Sequence, residues 1–402
     1  MIALAFAWRS LVRQPARASL GVLGVAAVGA LLFDMLMLSD GLIVSMRDLL
    51  DRTGFDIRVT ASGDLRRAGD RMHDISPMLD AIRRLPQVGT ALAIRFVEGE
   101  TDGHAPATTG TEGAETGTIA LTLEGVQGDT RPWTVVTGRD PAGSHEVVVS
   151  QALATALQVA PGSELVVRAR CAARDQVLPP ARLRVVGVAE FPFELVGDPT
   201  AGGAMAVLDE ACASRTDEAD VILASAKDEV DATAAAIHAA QPRVNVATNE
   251  QVLGRLQRNG FTYFRQISAV LTVVTLAFAL LLITVLLTVS VNQRLGEIAA
   301  LRALGFSRGR VVADVLCESI LIVGLGGLIS LPLGAGLARG LDGILKTMPG
   351  IPGQMYFFVL EPATLGQHAA LLTMTAVVAA LYPMQIVARL PIAATLRNEV
   401  LS

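Results

Sequence analysis

Long apolar runs divide the chain at residues 18–42, 265–291, 311–339 and 365–388. Each run is long enough for a transmembrane α-helix, which needs about 20 mostly apolar residues to cross a hydrocarbon core about 30 Å thick. The stretch between the first two runs, residues 43–264, contains no apolar run of that length. The pattern predicts a polytopic α-helical membrane protein with four transmembrane helices and a large domain between the first and the second.

Residues 43–264 show two kinds of pattern. Alternating apolar positions favour strands, and spacings of three to four favour amphipathic helices. The predicted strands are 56–60, 93–97, 119–126, 146–149, 165–168, 183–189, 204–208, 221–224 and 244–247. The predicted helices are 77–84, 151–157 and 229–240. They indicate an α+β domain large enough for one core or two subdomains, with 101–118, rich in Gly and Thr, as a mobile loop.

The first 17 residues place Trp8 and other apolar side chains on one helical face. We interpret residues 1–17 as an amphipathic helix at the membrane surface, ended by Pro15. The next run exceeds the roughly 7–15 apolar residues of a cleaved signal peptide, so an uncleaved span is favoured over that alternative. Asp34 falls about 24 Å along this helix. We interpret it as a solvated residue at the helix exit rather than a functional intramembrane carboxylate.

Residues 292–310 separate the second and third apolar runs and are strongly basic. Their charged residues are Arg294, Glu297, Arg302, Arg308 and Arg310. A short arginine-rich loop between two spans is typical of the cytoplasmic side. Apolar residues recur here at spacings of three, which predicts a short amphipathic helix, and Gly305 follows as a stop. The alternative is a basic loop that only sets the orientation of the spans.

Composition narrows the function classes. Aromatic residues are 4% of the 402 residues, and arginines are not interleaved with them, which argues against a nucleic-acid surface. The sequence has no Gly-x4-Gly-Lys-Ser/Thr, His-Glu-x-x-His or Cys-x-x-Cys motif, and its five histidines are scattered. We therefore expect no catalytic residue, cofactor site or metal site in this chain.

Cysteine and glycine positions add two further expectations. Cys171 and Cys212 both fall in the predicted extracytoplasmic domain, where a disulfide would persist, but their spacing does not decide whether they meet. Glycines within apolar runs let helices approach closely. The predicted helix-packing residues are Gly21, Gly24, Gly324 and Gly327.

Four stretches resemble one family. The order Glu-Ile-Ala-Ala-Leu-Arg-Ala-Leu-Gly-Phe-Ser-Arg at 297–308 is similar to the cytoplasmic coupling segment of ABC transporter permeases of the MacB/FtsX/LolC-LolE superfamily. Residues 13–26 resemble the start of that family's first helix, and 138–168 resemble its extracytoplasmic domain. Residues 382–397, with Tyr-Pro and Ala-Arg-Leu-Pro-Ile-Ala-Ala-Thr-Leu-Arg, resemble its C-terminal signature.

The resemblance implies a membrane subunit of an ABC system, a standalone permease without a fused ATPase. A separate ATPase subunit would bind ATP and Mg²⁺. Residues 292–310 would dock on it, with charge pairing by the arginines and Glu297 and helix termination by Gly305. The expected coupling residues are Arg294, Glu297, Arg302, Gly305 and Arg308. Two permeases, identical or homologous, would face each other in the lipid and move their outer domains for export or lipoprotein release, with a periplasmic adaptor or a lipoprotein as further candidate partners.

Alternatives remain within and outside the family. An FtsX-like transducer would activate cell-wall hydrolases and transport nothing, although residues 43–264 form a larger domain than that branch carries. A sensor subunit paired with a regulatory kinase usually has more spans than four. Lipoprotein release and efflux are not distinguished. The expected location is the bacterial inner membrane, with 1–17 and 389–402 in the cytoplasm and 43–264 and 340–364 outside.

Overall fold

The computed structural model describes most of the chain. The described residues are 12, 15–62, 71–102, 118–171, 179–255, 258, 262–293, 295, 307–348 and 354–388. The predictions for 1–17, 292–310 and 389–402 therefore lie largely or wholly outside the described residues, as does the greater part of the predicted loop 101–118.

The elements alternate between long helices and a strand-rich insertion. The described helices are α1 (Pro15–Arg52), α2 (Ile75–Arg83), α3 (Gln151–Leu157), α4 (Met205–Ala211), α5 (Val230–Ala240), α6 (Asn249–Arg255), α7 (Thr262–Asn292), α8 (Arg308–Leu345) and α9 (Pro362–Ala388). The described strands are β1 (Ile57–Thr60), β2 (Met72–His73), β3 (Val88–Asp102), β4 (Thr118–Gln127), β5 (Thr134–Gly138), β6 (Glu146–Ser150), β7 (Glu164–Ala169), β8 (Ala181–Glu190), β9 (Thr200–Ala204), β10 (Glu218–Ala219), β11 (Val221–Ala226) and β12 (Asn245–Thr248).

The chain divides into two compact units. The helix bundle comprises residues 1–44, 260–344 and 356–402, and the inserted domain comprises 45–259 and 345–355. In the described part, the segments long and apolar enough to span a membrane are Ala18–Arg52, Ala269–Val289, Leu316–Leu345 and Pro362–Gln385. Four such helices and a strand-rich insertion confirm the predicted fold class.

Two helices extend beyond their predicted spans. α1 runs to Arg52, past the predicted end of the first span at residue 42, and α8 runs to Leu345, so the predicted loop 340–364 begins inside a helix. Hydropathy locates the part of a helix that lies in hydrocarbon. It does not locate the end of the helix, because the backbone hydrogen bonds continue through polar residues.

The inserted domain is built on one large sheet with the strand order β12-β1-β11-β3-β4-β9-β6-β8-β5. β7 pairs with both β3 and β8, so six of these strands close into a ring: β3, β4, β9, β6, β8 and β7. β2 and β10 form a separate pair. Closure leaves the ring without an exposed edge for another chain to pair with.

The inserted domain is one compact unit, and it contains two main hydrophobic cores. The first fills the ring, with Leu121 and Leu183 packed against Leu153 of α3 and Leu208 of α4. The second lies between β1, β11 and β12 and the helices α2 and α5. β3 contributes to both cores because it is 15 residues long. The long strand therefore joins the two cores.

Most predicted strands and helices are confirmed to within a few residues, but the strand predicted at 204–208 is wrong. Residues Met205–Ala211 form helix α4, and the strand is the preceding Thr200–Ala204. A short apolar run does not by itself distinguish strand from buried helix. The glycines of β9 argued against a strand, yet Gly202 is required there, because a Cβ would lie 2.7 Å from Trp133 and 2.8 Å from Phe191. β2, β5, β10 and α6 were not predicted from the sequence.

A disulfide joins Cys171, after β7, to Cys212, after α4, with the two Cα atoms 5.4 Å apart. The two cysteines therefore do meet, which their spacing in the sequence did not decide. The bond closes a loop with a sequence separation of 41 residues, and it contributes to the core inside the ring.

Candidate functional site

The predicted coupling residues lie between α7 and α8. Arg294, Glu297, Arg302 and Gly305 are outside the described residues, and Arg308 is the first residue of α8. Their roles therefore stay predictions. The structure describes instead how α8, the helix that follows this segment, packs in the bundle.

α8 packs along α1 in a regular row of contacts, which we call the α1–α8 seam. The paired positions are Gly21 with Ile322, Val25 with Gly326, Gly29 with Ser330, Phe33 with Gly334, and Met37 with Ala338. Successive pairs advance by four residues on both helices. Residues four apart lie on one face of a helix, so the seam joins one face of α1 to one face of α8 over several turns.

Nearly every pair in the seam places a small residue against a larger one. A Cβ added to Gly326 would lie 2.7 Å from the Cβ of Val25, and one added to Gly334 would lie 2.9 Å from the ring of Phe33. No side chain fits at either glycine unless the helices separate. Helices in lipid associate through such close approach, because burial of apolar surface gives no driving force there.

The row continues beyond Met37 and Ala338. Asp342 follows Ala338 by one turn, and its Oδ1 accepts a hydrogen bond of 3.0 Å from the backbone N–H of Phe357. Gly41 follows Met37 by one turn and lies against the carbonyl of the same Phe357. Phe357 is therefore held to both helices of the seam.

The other two helices join at the remaining predicted glycines. A Cβ on Gly24 would lie 3.0 Å from Leu282 of α7, and one on Gly327 would lie 3.0 Å from Leu372 of α9. Gly21 meets α7 as well as α8. Gly324 has no described atom within 4 Å of an added Cβ, so the structure does not place it at a helix contact within this chain. The row of small residues at 326, 330, 334 and 338 was the sequence signal for the seam.

Polar side chains also enter the bundle. His368 of α9 is 3% exposed, its Nε2 lies 2.9 Å from Oγ of Ser330, and its ring lies 5.1 Å from that of Phe33. Asp34 is only 1% exposed. The interpretation of Asp34 as a solvated residue at the helix exit is therefore wrong. Distance along a helix gives depth, but it does not say whether a side chain faces lipid, water or protein.

The inserted domain contains a buried charge network. Arg95 on β3 is 2% exposed and donates to the hydroxyl of Thr216. Burial, followed by the charge of Arg71, lowers the pKa of Arg95. Burial raises the pKa of Asp220, although that carboxylate accepts a 2.7 Å hydrogen bond from the N–H of Phe96. Among the described residues no group of three or more His, Cys, Asp or Glu is arranged to hold a metal ion.

Comparisons with known proteins agree with this architecture. Residues 19–240, more than half of the chain, match the family described as MacB-like periplasmic core domain, and residues 269–392 match the FtsX-like permease C-terminal family. An inserted domain of the first kind within helices of the second kind defines a permease of the ABC-transporter type, a multi-pass membrane protein. The chain belongs to the MacB/FtsX superfamily of permeases.

Two solved structures resemble the inserted domain at low identity. The periplasmic region of MacB from Actinobacillus actinomycetemcomitans is 10% identical, with 52% of this chain and 98% of that chain covered and a TM-score of 0.37. The extracellular domain of the noncanonic ABC-type transporter YknZ from Gram-positive bacteria is 15% identical, with 48% and 98% covered and a TM-score of 0.32. No curated protein matches the chain.

Proposed function

We propose that this chain couples ATP hydrolysis by a separate ABC ATPase subunit to motion of the inserted domain, for export or lipoprotein release. The α1–α8 seam supports the proposal. α8 begins where the predicted coupling segment ends, and α1 is the helix that precedes the inserted domain in the chain. Because each seam contact has no free space, a displacement of α8 moves α1 with it rather than being absorbed between the two helices.

In this mechanism the coupling segment is the contact with the ATPase. Glu297 and the arginines at 294, 302 and 308 pair with charges on that subunit, and Gly305 ends the short helix that presents them. ATP and Mg²⁺ bind to the ATPase subunit. The match of residues 269–392 to the FtsX-like permease family spans this segment and supports its role.

The same proposal sets the orientation. The arginine-rich segment 292–310, the N-terminal residues 1–17 and the tail 389–402 face the cytosol, and the inserted domain lies outside a bacterial inner membrane. The Cys171–Cys212 disulfide supports an oxidising compartment for the domain. A second permease, identical or homologous, completes the membrane part, and a periplasmic adaptor or a lipoprotein is a further partner.

Thiol labelling tests the orientation. Ser307 is exposed just before α8, and Ala152 is exposed on α3. In a Cys317→Ala background, Ser307→Cys should resist a membrane-impermeant maleimide added to intact cells and react after the membrane is opened. Ala152→Cys is the matched control and should react from outside. Labelling of Ser307→Cys in intact cells would place the segment outside and refute the proposal.

A charge reversal tests the coupling. Glu297→Arg should leave membrane insertion unchanged but reduce the permease-stimulated ATPase rate in a reconstituted complex, because an arginine replaces the one acid of the segment. Glu190→Arg makes the same charge change at an exposed position of the inserted domain and should leave stimulation unchanged. Equal stimulation by wild type and Glu297→Arg would contradict the assignment.

A further inference from the structure

Asp34 is a buried acid that the proposed coupling does not use. It lies on α1 beside Phe33, whose ring contacts Gly334 of α8 and His368 of α9. Its side chain is 1% exposed, and neither carboxyl oxygen has a hydrogen-bond partner among the described residues. The nearby His368 differs, since its Nε2 is within hydrogen-bonding distance of Ser330.

This acid lies within the membrane-spanning part of the bundle. His368 is six residues into α9, which is about 9 Å from the start of that helix. Phe33 and Asp34 are at the same level as His368 because the rings of Phe33 and His368 are in contact. Asp34 and His368 are 1% and 3% exposed, so the protein itself must satisfy or neutralise the carboxyl group.

The neighbouring elements offer no cation to neutralise it. Between Gln266 and Asn292, α7 has no titratable residue. The titratable or charged groups on the adjacent stretches of α1, α8 and α9, and on the segment between α8 and α9, are Asp40, Arg339, Asp342, Lys346, Tyr356, Glu361 and His368. Lys346 is 12 residues beyond Gly334, the glycine that meets Phe33, which is about 18 Å along the helix direction. Arg339 is on the exposed side of α8 and donates to the carbonyl of Ala335, and Asp342 accepts from the backbone of Phe357.

A buried carboxylate with neither a cation nor a donor is strongly unfavourable, and such a group binds a proton instead. We propose that Asp34 is an intramembrane proton-binding site, whose carboxyl group holds a proton while the α1–α8 seam is packed and releases it when the helices separate and water enters. The step is the reversible binding of one proton to one carboxylate. It involves no oxidation or reduction and no transfer of any other group. The proposal depends on the packing of the bundle and not on coupling to an ATPase.

Carbodiimide labelling tests the protonation state directly. Dicyclohexylcarbodiimide is apolar and reacts with the protonated form of a carboxyl group. In the full chain in lipid nanodiscs at about pH 8, roughly four units above the ordinary pKa of aspartate, Asp34 should acquire the N-acylurea adduct in mass spectrometry. The exposed Asp228 and Asp231 should stay unmodified at that pH. An adduct confined to low pH at Asp34, as at those two residues, would refute the site.

The pH dependence of unfolding covers the case in which the reagent fails to enter. If the folded bundle holds the proton, unfolding releases it at neutral pH, so stability falls as pH rises. The midpoint of wild type should fall relative to Asp34→Asn, which mimics the neutral acid, by about 2–4 °C per pH unit above neutrality. His368 is present in both chains, so its titration cancels in this difference.

The matched control is Asp228→Asn, an exposed aspartate of the inserted domain, which should run parallel to wild type. Parallel profiles for wild type and Asp34→Asn would show that Asp34 holds no proton linked to packing and would overturn the proposal. A wild-type midpoint that rises relative to that of Asp34→Asn as pH increases would also overturn it, because the charged form would then have a partner in the folded bundle.

Discussion

The helix bundle and the inserted domain solve the same packing problem by different means. In the domain, strands with apolar residues at alternate positions close a ring, and buried leucines and valines fill it. In the bundle, the tightest contacts are made by glycines such as Gly326 and Gly334, which let backbone approach side chain. The hydrophobic effect in water drives the packing of the domain. In lipid that effect is missing, so close packing of the helices must hold the bundle together.

The two regions are therefore sensitive to different changes. The domain is expected to lose stability chiefly when buried area or a crosslink is removed, although Gly202 there is enclosed as tightly as Gly326 in the seam. The seam is expected to lose stability chiefly when atoms are added. Two native side chains report the regions separately: Trp133 is buried in the domain, and Cys317 is the free thiol of α8. With Trp8→Phe as background, Trp133 becomes the only tryptophan, because the chain has two.

The largest expected effect is removal of the disulfide. Replacing Cys171 and Cys212 by Ala frees a loop with a sequence separation of 41 residues. The chain-entropy relation for a loop of that length gives a loss of about 4 kcal/mol. Denaturant unfolding followed by Trp133 fluorescence should show a much lower midpoint. Reactivity of Cys317 should change little, and an equal shift of both reporters would show that the regions do not unfold separately.

Overpacking of the seam should come next. Gly326→Leu places atoms where Val25 already lies 2.7 Å away, and an overpacked core typically loses about 1–3 kcal/mol. The expected result is faster labelling of Cys317 by a fluorogenic maleimide in detergent, with the Trp133 midpoint unchanged. Gly324→Leu is the matched control on the same helix, since its added side chain meets open space within this chain. Equal labelling rates for the two variants would contradict the importance of close packing at the α1–α8 seam.

The fold was largely predictable because its strongest constraints are local in sequence. A span must be apolar for about 20 residues, and a half-buried strand must alternate, so the four spans and strands such as β6 and β8 were found from pattern alone. Hydropathy also placed the arginine-rich segment between the second and third spans. These features can be predicted without knowing which residues pack against them in the folded chain.

The rest depended on partners distant in sequence. β9 is a glycine-bearing strand because Gly202 lies beneath Trp133 and Phe191, and no local pattern shows those rings. The burial of Asp34 depends on which face of α1 meets α8. α8 carries small residues at 326, 330, 334 and 338, a spacing of four that favours a close helix contact. Only the structure shows that this row faces α1 and which residues of α1 it meets.

A smaller effect is expected from a helix cap in the domain. Ser150 is 0% exposed, and its Oγ accepts hydrogen bonds from the N–H groups of Leu153, at 3.2 Å, and Thr200, at 3.4 Å. Ser150→Ala leaves both donors without this acceptor and should lower the free energy of unfolding by about 1 kcal/mol. Denaturant unfolding followed by Trp133 fluorescence measures this change. Thr155→Ala, at an exposed position of the same helix, should cost less, and an equal loss would argue against the cap.

The smallest effect concerns Glu146, which forms an ion pair with Arg139 in the inserted domain. The side chain of Arg139 and then the N–H of Ala142 hold the pKa of Glu146 at about 2. The unfolded chain protonates this carboxyl near its ordinary pKa of about 4.3, so the contribution is complete above that pH and is lost as pH falls toward 2.

The difference in midpoint between wild type and Glu146→Gln, followed by Trp133, should therefore shrink on acidification from about pH 5 to about pH 3. The pair is at the surface, where screening keeps the effect small. A difference that is the same at both pH values would show that the carboxyl group carries no linked charge. The contribution of Asp34 to the stability of the bundle is expected to change in the opposite direction, because it is lost as pH rises. Two carboxyl groups with opposite slopes would show that the domain stabilises an acid by giving its charge a partner, whereas the bundle stabilises one by keeping it neutral.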